Sequence, residues 1–495
     1  MLLTDRHYIK LVAEAIAGDL LPDLASPGAR SLAGMAVDAL RELIKREDVL
    51  PGLIARLAPE GLALARELGG LGVAVEDGTI ASIAAQLERE AASPSAAFAR
   101  LVKLLDDGAC TIVGNRDGLA GSQAEAATAW LRRVSEWDRD YFTSFAEAPL
   151  PELANRTSAA QPLTRDKLER HLRERLEQPG LVVDGMVAIP GGMLNEIYFC
   201  TLRVPGAPDR EVVVRKNVAQ PLFSHGAHRV TEEYFILKCI SDEGLPVPEP
   251  LWLFRDLPDV DGNFYVQTRG AGKMVGGLMG AHEKLSERLL YSLAEFLARL
   301  HAIPSDAFAP YFTGPESPVR PGETVEEAVR RNVENVSRVW LSSDRKPSPS
   351  EAFTIDWLRR NIPHNTNRAV MVHTDCFVHN FLVVDDRIAC VLDWECAHFG
   401  DPAEDLAYIR AYVAEHMEWD RFVAHYRAAG GQPIDESNID YYTALLHFRN
   451  FWGCNVGAAR ADSGFSEVRL IPLGSEHRTR YQGLCLDAAY ATGKD

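Results

Sequence analysis

The spacing of hydrophobic and polar positions changes character along the chain. Up to about residue 155, apolar residues recur every three or four positions in Asp5 to Leu24, Ser31 to Lys45, Thr79 to Ala92, Ser95 to Leu105 and Ser122 to Ala146, which predicts amphipathic helices. Proline-rich pieces, Ala148-Pro149-Leu150-Pro151 and Gln161-Pro162, then mark a linker. A charged helix is expected from Arg165 to Glu177. Strand-like runs follow at Leu181 to Ile189, Ile197 to Val204 and Glu211 to Lys216, the last two flanking Pro205-Gly206-Ala207-Pro208-Asp209 as a hairpin would. A helix over Val230 to Ser241, a Pro-broken connection at 244–248 and strands at Leu251 to Phe254 and Phe264 to Gln267 come next. From about Ser286 the pattern is helical, with one β-rich island between Val370 and Asp393.

The length of 495 residues exceeds what one hydrophobic core ordinarily organises, so two or three units are expected. Lys+Arg number 52 against 70 Asp+Glu, a net charge of -18. The acidity is spread out: residues 1 to 156 hold 16 basic and 23 acidic residues, net -7, leaving -11 for the remainder. Phosphate backbones need a basic face, so nucleic acid is excluded as an expected partner. The eight cysteines form no Cys-x-x-Cys pair, which suits a reducing compartment. The N-terminus shows neither a signal-type apolar core nor an 18-residue apolar run, so a cytoplasmic location without membrane partners is expected. The N-terminal helices carry no catalytic constellation and read as a packing or assembly element, with homo-oligomerisation as its candidate use.

Chemistry concentrates in the island. Two apolar runs flank Asp385-Asp386-Arg387, a turn signal, so the segment should form a hairpin. A turn centred near residue 386 would pair positions summing to about 773 and bring Asn380 opposite Asp393. An Asn and an Asp side by side offer hard oxygen ligands for Mg²⁺. Asp375, five residues before Asn380, could accept a proton from an attacking hydroxyl. A base with two metal ligands amounts to a phosphoryl-transfer centre.

His373-Thr374-Asp375 with Asn380, and Asp393-Trp394-Glu395 followed by Phe399-Gly400-Asp401-Pro402-Ala403-Glu404-Asp405-Leu406-Ala407, resemble the motifs of the aminoglycoside phosphotransferase and choline kinase-like family. The resemblance implies an α+β, two-lobed protein-kinase-like fold, with an antiparallel-sheet N-lobe and a mainly helical C-lobe, preceded here by an all-α N-terminal domain. The expected boundaries are 1–155, 163–268 and 269–495. It implies Asp375 as catalytic base, Asn380 and Asp393 as Mg²⁺ ligands and Asp405 as a brace of the loop. Thr374 departs from the family, which usually has Gly there. Asp401, Pro402 and Glu404 also read as the N-cap, first and third positions of a helix.

The same resemblance asks for a phosphate-covering turn, a strand cation and a helical acid upstream. Ile189 to Glu196 contains Gly191-Gly192 between two strands, where backbone amides can approach phosphate, and Asn195 closes the turn. Leu194 replaces a common Ser. Arg215 and Lys216 point to opposite faces of their strand, so only one can reach a nucleotide; the apolar alignment favours Arg215. Glu233 is the expected paired acid, with Glu232 as the alternative. Gln267 and Thr268 end a strand similar to the one whose backbone meets adenine in the family. His301 reads as a helix-end packing residue. Gly270 to Met274 lacks the full Walker and dinucleotide patterns and reads as a flexible connection between lobes.

The expected function is therefore an ATP- and Mg²⁺-dependent kinase acting on a hydroxyl of a small molecule, such as a hydroxy acid, a hydroxyacyl compound or an aminoglycoside-like cation. Val333 to Leu341 and Tyr441 to Ala459 are expected to line the acceptor pocket, through Trp340, His447, Trp452 and Asn455. The alternative is a catalytically weak kinase-like nucleotide-binding or scaffold protein.

Overall fold

A computed structural model describes residues 24, 27–89, 95–147, 163–189, 195–217, 230–277, 280–281, 284–312, 320, 322–462 and 477–491. Its principal helices, in chain order, are α1 (Pro27–Glu67), α2 (Thr79–Arg89), α3 (Ser95–Gly114), α4 (Ser122–Ala146), α5 (Arg165–Leu176), α6 (Val230–Asp242), α7 (Glu287–His301), α8 (Val325–Ser342), α9 (Pro349–Arg360), α10 (Pro402–Ala414), α11 (Trp419–Ala428), α12 (Ile439–Asp462) and α13 (Arg478–Ala491). The principal strands are β1 (Val182–Ile189), β2 (Asn195–Arg203), β3 (Arg210–Asn217), β4 (Pro250–Phe254), β5 (Phe264–Thr268), β6 (Lys273–Met274), β7 (Val370–Val372), β8 (Phe381–Val384), β9 (Arg387–Val391) and β10 (His398–Gly400). Of the helix expected over Asp5 to Leu24, all but Leu24 lies outside the described residues. No helix among those described is long and apolar enough to cross a membrane.

The chain divides into two compact units, one of residues 1–158, 333–361 and 447–495, the other of residues 159–332 and 362–446. In the first, α1 runs unbroken through Pro51 and Pro59, where the sequence pattern suggests helix only as far as Lys45. Each interior proline costs a helix about 3 kcal/mol. Against this, Leu53, Ile54, Leu57, Leu64, Ala65 and Leu68 recur at helical spacing and are all buried, and burying a large aliphatic side chain returns about 1.5–3 kcal/mol. Trp130 and Trp137 of α4 donate their indole N–H groups to the carbonyls of Leu64 and Leu57, both at 3.0 Å. Helix α9 packs on α3, α4 and α13.

That packing corrects one expectation. Trp340, Trp452 and Asn455 belong to the core of this first unit and are fully buried there. The Trp340 indole donates to Glu351 Oε2 (2.9 Å), Trp452 to Ser343 Oγ (2.9 Å) and the Asn455 amide to Glu351 Oε1 (2.5 Å). His447 stacks with Tyr481, ring centroids 5.9 Å apart. Trp340, Trp452 and Asn455 thus serve packing instead of presenting a face to an acceptor.

The second unit contains a five-stranded antiparallel sheet in the order β1-β2-β3-β5-β4. Its alternating apolar face packs with α5 through Leu168, Leu172, Val183, Val212, Val214 and Val266. A larger apolar cluster gathers α6, α7, α10 and α11 around Trp394 and Phe399. Between them, β6 adds to the β8–β9 hairpin, Leu382 facing Met274 and Val383 facing Lys273. The connection read as flexible is thus pinned. Gly272 sits at φ +114°, and a Cβ there would lie 2.8 Å from the Val383 carbonyl oxygen, so only glycine lets the two backbones meet.

Candidate active site

The loop after β7 is held residue by residue. Asp401 starts α10 with a full capping box, its side chain accepting from Ala403 N–H and Glu404 reaching back to the cap. One turn on, buried Asp405 accepts the backbone N–H of His373 on Oδ2 (3.0 Å) and that of Thr374 on Oδ1 (2.6 Å). His301, also buried, meets Asp405 Oδ2 at 3.0 Å and the Tyr426 hydroxyl at 2.8 Å. Burial opposes ionisation of Asp405, but the hydrogen bond and charge of His301 overcome it and hold this carboxyl below the usual range.

Thr374 occupies the left-handed region at φ +58°. A β-branched residue is strained there, which explains why glycine suits this position. Its hydroxyl offsets part of the cost by donating to the Cys396 carbonyl at 3.0 Å. The next residue, Asp375, has both carboxylate oxygens engaged: Oδ2 accepts from Asn380 Nδ2 (2.9 Å), and Oδ1 accepts from the Tyr408 hydroxyl of α10. Asn380 Nδ2 also donates to the Asp375 carbonyl at 2.9 Å. Burial, reinforced by the charge of Asp393, pushes the Asp375 carboxyl up to about 7 against the pull of those two donors.

The β8–β9 hairpin departs from the expected register. Its turn is only two residues long, Asp385 and Asp386, both at positive φ, and Arg387 already belongs to the strand opposite Val384. A bulge between Leu382 and Val383 then shifts the pairing, so that Phe381 faces Val391 and the Asn380 carbonyl accepts from Leu392 N–H at 2.8 Å. Asn380 therefore stands across from Leu392 and not Asp393. Asp393 itself turns out of the ladder at φ +62°.

Where Asp393 goes is decided by Arg215. The buried guanidinium donates from Nη2 to Asp393 Oδ1 (2.8 Å) and reaches Glu233 from Nε at 3.1 Å, with Glu395 Oε2 at 3.5 Å. Glu233 Oε1 also accepts Trp394 N–H at 3.2 Å, fastening α6 to the Asp393-Trp394-Glu395 segment. Lys216 lies on the other face of β3, where its ammonium donates to Glu196 at 3.1 Å and to the Asn217 carbonyl at 3.1 Å. Asn195 is buried and donates to Glu395 Oε2 at 2.9 Å. Glu395 thus joins Asn195 to the Arg215 cluster, a part that the sequence signals only by its place in the Asp393-Trp394-Glu395 motif.

Gly191 and Gly192 lie outside the described residues. Gln267 and Thr268 end β5, which is an inner strand, and the Thr268 N–H is already given to the Glu249 carbonyl at 2.9 Å. The Gln267 side-chain oxygen is buried without a hydrogen-bond partner among the described residues. Cys376 is fully buried and burial pushes its thiol far up, so it packs the loop.

Residues 185–442, more than half of the chain, match the phosphotransferase enzyme family known as APH. The chain belongs to this family. Among curated proteins, this phosphotransferase-family chain is 26% identical over 262 residues to acyl-CoA dehydrogenase family member 11 of Gallus gallus, covering 48% of this chain and 32% of that protein. It is 28% identical over 292 residues to the Rattus norvegicus protein of the same name, covering 56% and 34%. The chain therefore spans about a third of the length of these relatives. Among solved structures, a protein from Ralstonia eutropha described as an aminoglycoside phosphotransferase superposes with a TM-score of 0.50 at 18% identity, covering 66% of this chain and 97% of the other. That likeness shows the fold.

Proposed function

We propose that the chain is an ATP- and Mg²⁺-dependent phosphotransferase that acts on a hydroxyl of a small molecule. The observation that carries this reading is the meeting of Arg215, Glu233 and Asp393 beside a loop in which Asn380 holds Asp375. Glu233, Asp393 and Glu395 share the one guanidinium of Arg215, with Asp375 near enough to feel the charge of Asp393, and burial together with mutual repulsion pushes Glu395 and Asp375 upward. Such a surplus of buried negative charge suits a divalent cation.

The residues present fit Mg²⁺. Asn380 uses its amide nitrogen on Asp375, which leaves its side-chain oxygen, with the Asp393 carboxylate, as the hard donors of the site. Among the described residues no group of three or more His, Cys, Asp or Glu could hold a metal. Mg²⁺ takes one or two protein ligands and completes its shell with water and phosphate oxygens. When bound, the ion would neutralise charge on the phosphates being parted. Arg215, and not Lys216, would position the α- and β-phosphates. The orphaned Gln267 oxygen is an acceptor for the amino group of adenine.

In the transfer step Asp375 takes the proton of the acceptor hydroxyl, whose oxygen forms the new bond to the γ-phosphorus as the bond to ADP breaks. For the acceptor we favour a hydroxyacyl thioester or the related hydroxy acid, because the curated relatives are named as acyl-CoA dehydrogenases. The test is mass spectrometry of panels of hydroxyacyl-CoA, free hydroxy acids and aminoglycosides incubated with the protein and ATP, with and without Mg²⁺. A phosphorylated product that requires Mg²⁺ is expected in the first two panels. Turnover only of aminoglycosides would overturn the acceptor class, and no product together with no Mg²⁺-ATP binding by calorimetry would leave the scaffold reading.

A further inference from the structure

One face of α10 grips four successive residues of the catalytic loop. Asp405 takes the amides of His373 and Thr374, Tyr408 donates its hydroxyl to Asp375 Oδ1, and Tyr412 donates to the Cys376 carbonyl at 2.7 Å. Positions 405, 408 and 412 are three and four residues apart and so lie on one stripe of the helix. Three of these four contacts hold backbone. Only Tyr408 reaches the carboxylate to which the proposed chemistry is assigned.

We propose that Tyr408 is a positioning residue for phosphoryl transfer, orienting Asp375 so that the acceptor proton is taken in line with attack. The inference rests on the phosphotransferase reading above. A carboxylate turns about its Cβ–Cγ bond unless both oxygens are engaged. Asn380 engages Oδ2 from the loop itself, while Tyr408 engages Oδ1 from a helix anchored by the Asp401 capping box. The phenol keeps its own proton throughout. The acceptor O–H proton passes to Asp375, the acceptor oxygen bonds to the γ-phosphorus, and ADP leaves with the electrons of the broken P–O bond. Aromatic contacts set the ring: Phe377 lies edge-on to Tyr408 at 6.2 Å and to Tyr412 at 5.3 Å.

The test is a double-mutant cycle of Tyr408→Phe and Asp375→Asn, with ATP and water or the best alcohol of the panel as reactants. Tyr408→Phe keeps the ring and removes one hydrogen bond to a charged group, so kcat should fall about tenfold while KM for ATP and Mg²⁺-ATP binding by calorimetry stay unchanged. In the Asp375→Asn background the same change should have no further effect, because Tyr408 would then have nothing to orient. Tyr408→His, which retains a donor, should recover part of kcat, and melting temperature serves as a folding control. Equal losses from Tyr408→Phe in both backgrounds, or a loss explained by lower stability, would make Tyr408 merely structural. An unchanged kcat in Tyr408→Phe with Asp375→Asn inactive would overturn this inference and leave the function intact. Wild-type turnover that survives Asp375→Asn would overturn the reading of the site, and this inference with it.

Discussion

Both units bury several carboxylates with arginine, and they treat them differently. In the first unit Asp106, Asp138 and Glu351 are each supplied with donors. Arg345 bridges Asp106 (3.1 Å) and Glu351 (3.0 Å), while Ser348, Ser350 and Gln482 all donate to Asp138 Oδ2 at 2.5–2.9 Å. A second buried guanidinium, Arg478, adds to the positive charge near Asp138 and Glu351. In the second unit Glu233, Asp393 and Glu395 share the single guanidinium of Arg215, and Asp375, buried and within reach of the Asp393 charge, lifts toward neutrality. Burial pushes Asp138 and Glu351 upward as well, and Asp138 Oδ1 has no partner among the described residues, so what separates the units is how many carboxylates share each guanidinium. A surplus of one sign around a single guanidinium is the mark of a site that works on something else.

The sharpest test of that contrast substitutes a carboxylate in each unit. Asp375→Asn should lower turnover by about 10²–10⁴-fold, the share ordinarily supplied by general base catalysis, with Mg²⁺-ATP binding retained in calorimetry. Glu351→Ala should instead cost stability, about 3–5 kcal/mol in denaturant titration, because Arg345, Trp340 and Asn455 lose a common buried partner. If the two variants behaved alike, the distinction between the units would collapse.

A pH series sharpens the comparison further. The Asp375 pKa is raised to about 7 in the folded chain, against about 4 when unfolded. The folded state therefore holds the extra proton between those values, and that contribution to stability is complete below pH 4 and gone above pH 7. Asp375→Asn should raise the melting temperature at pH 8 and leave it nearly unchanged at pH 4. On the proposed function turnover would have the opposite sign, rising with pH through about 7 as Asp375 ionises, and Mg²⁺ held by Asp393 would move that midpoint downward.

The smallest expected effect concerns the loop backbone. Thr374→Gly and Thr374→Ala both lose the bond to Cys396, but only glycine relieves the φ of +58°. The Gly variant should be the more stable of the two by about 1 kcal/mol in denaturant titration. Equal stabilities would show that the loop relaxes instead of storing strain.

Much of the second unit was legible in the sequence because its signals are local. The hairpin with Pro205 to Asp209, helix α6 and the Asp401 cap follow from patterning and capping chemistry that act within a few residues. The β8–β9 register differs from the expected one because the turn closes on Asp385 and Asp386 alone, with Arg387 already in the strand, and the bulge makes up only part of that difference. Helix α1 was cut short because prolines read as breakers until the burial of its apolar stripe is known.

By itself the sequence determined which chemistry was on offer: an Asp, an Asn and a second Asp at fixed spacing, a strand with two adjacent cations of opposite facing, and a helix with adjacent acids. Periodicity states which face a residue takes, but not what waits on that face. Only the tertiary structure decided that Arg215 meets Asp393, 178 positions away, while Lys216 turns to Glu196. It alone brought Tyr408 to Asp375 and drew residues 333–361 and 447–495 into the first unit. The physical reason is common to all three. Long-range pairs are chosen by burial and charge compensation over the whole chain, and neither is written in any one segment.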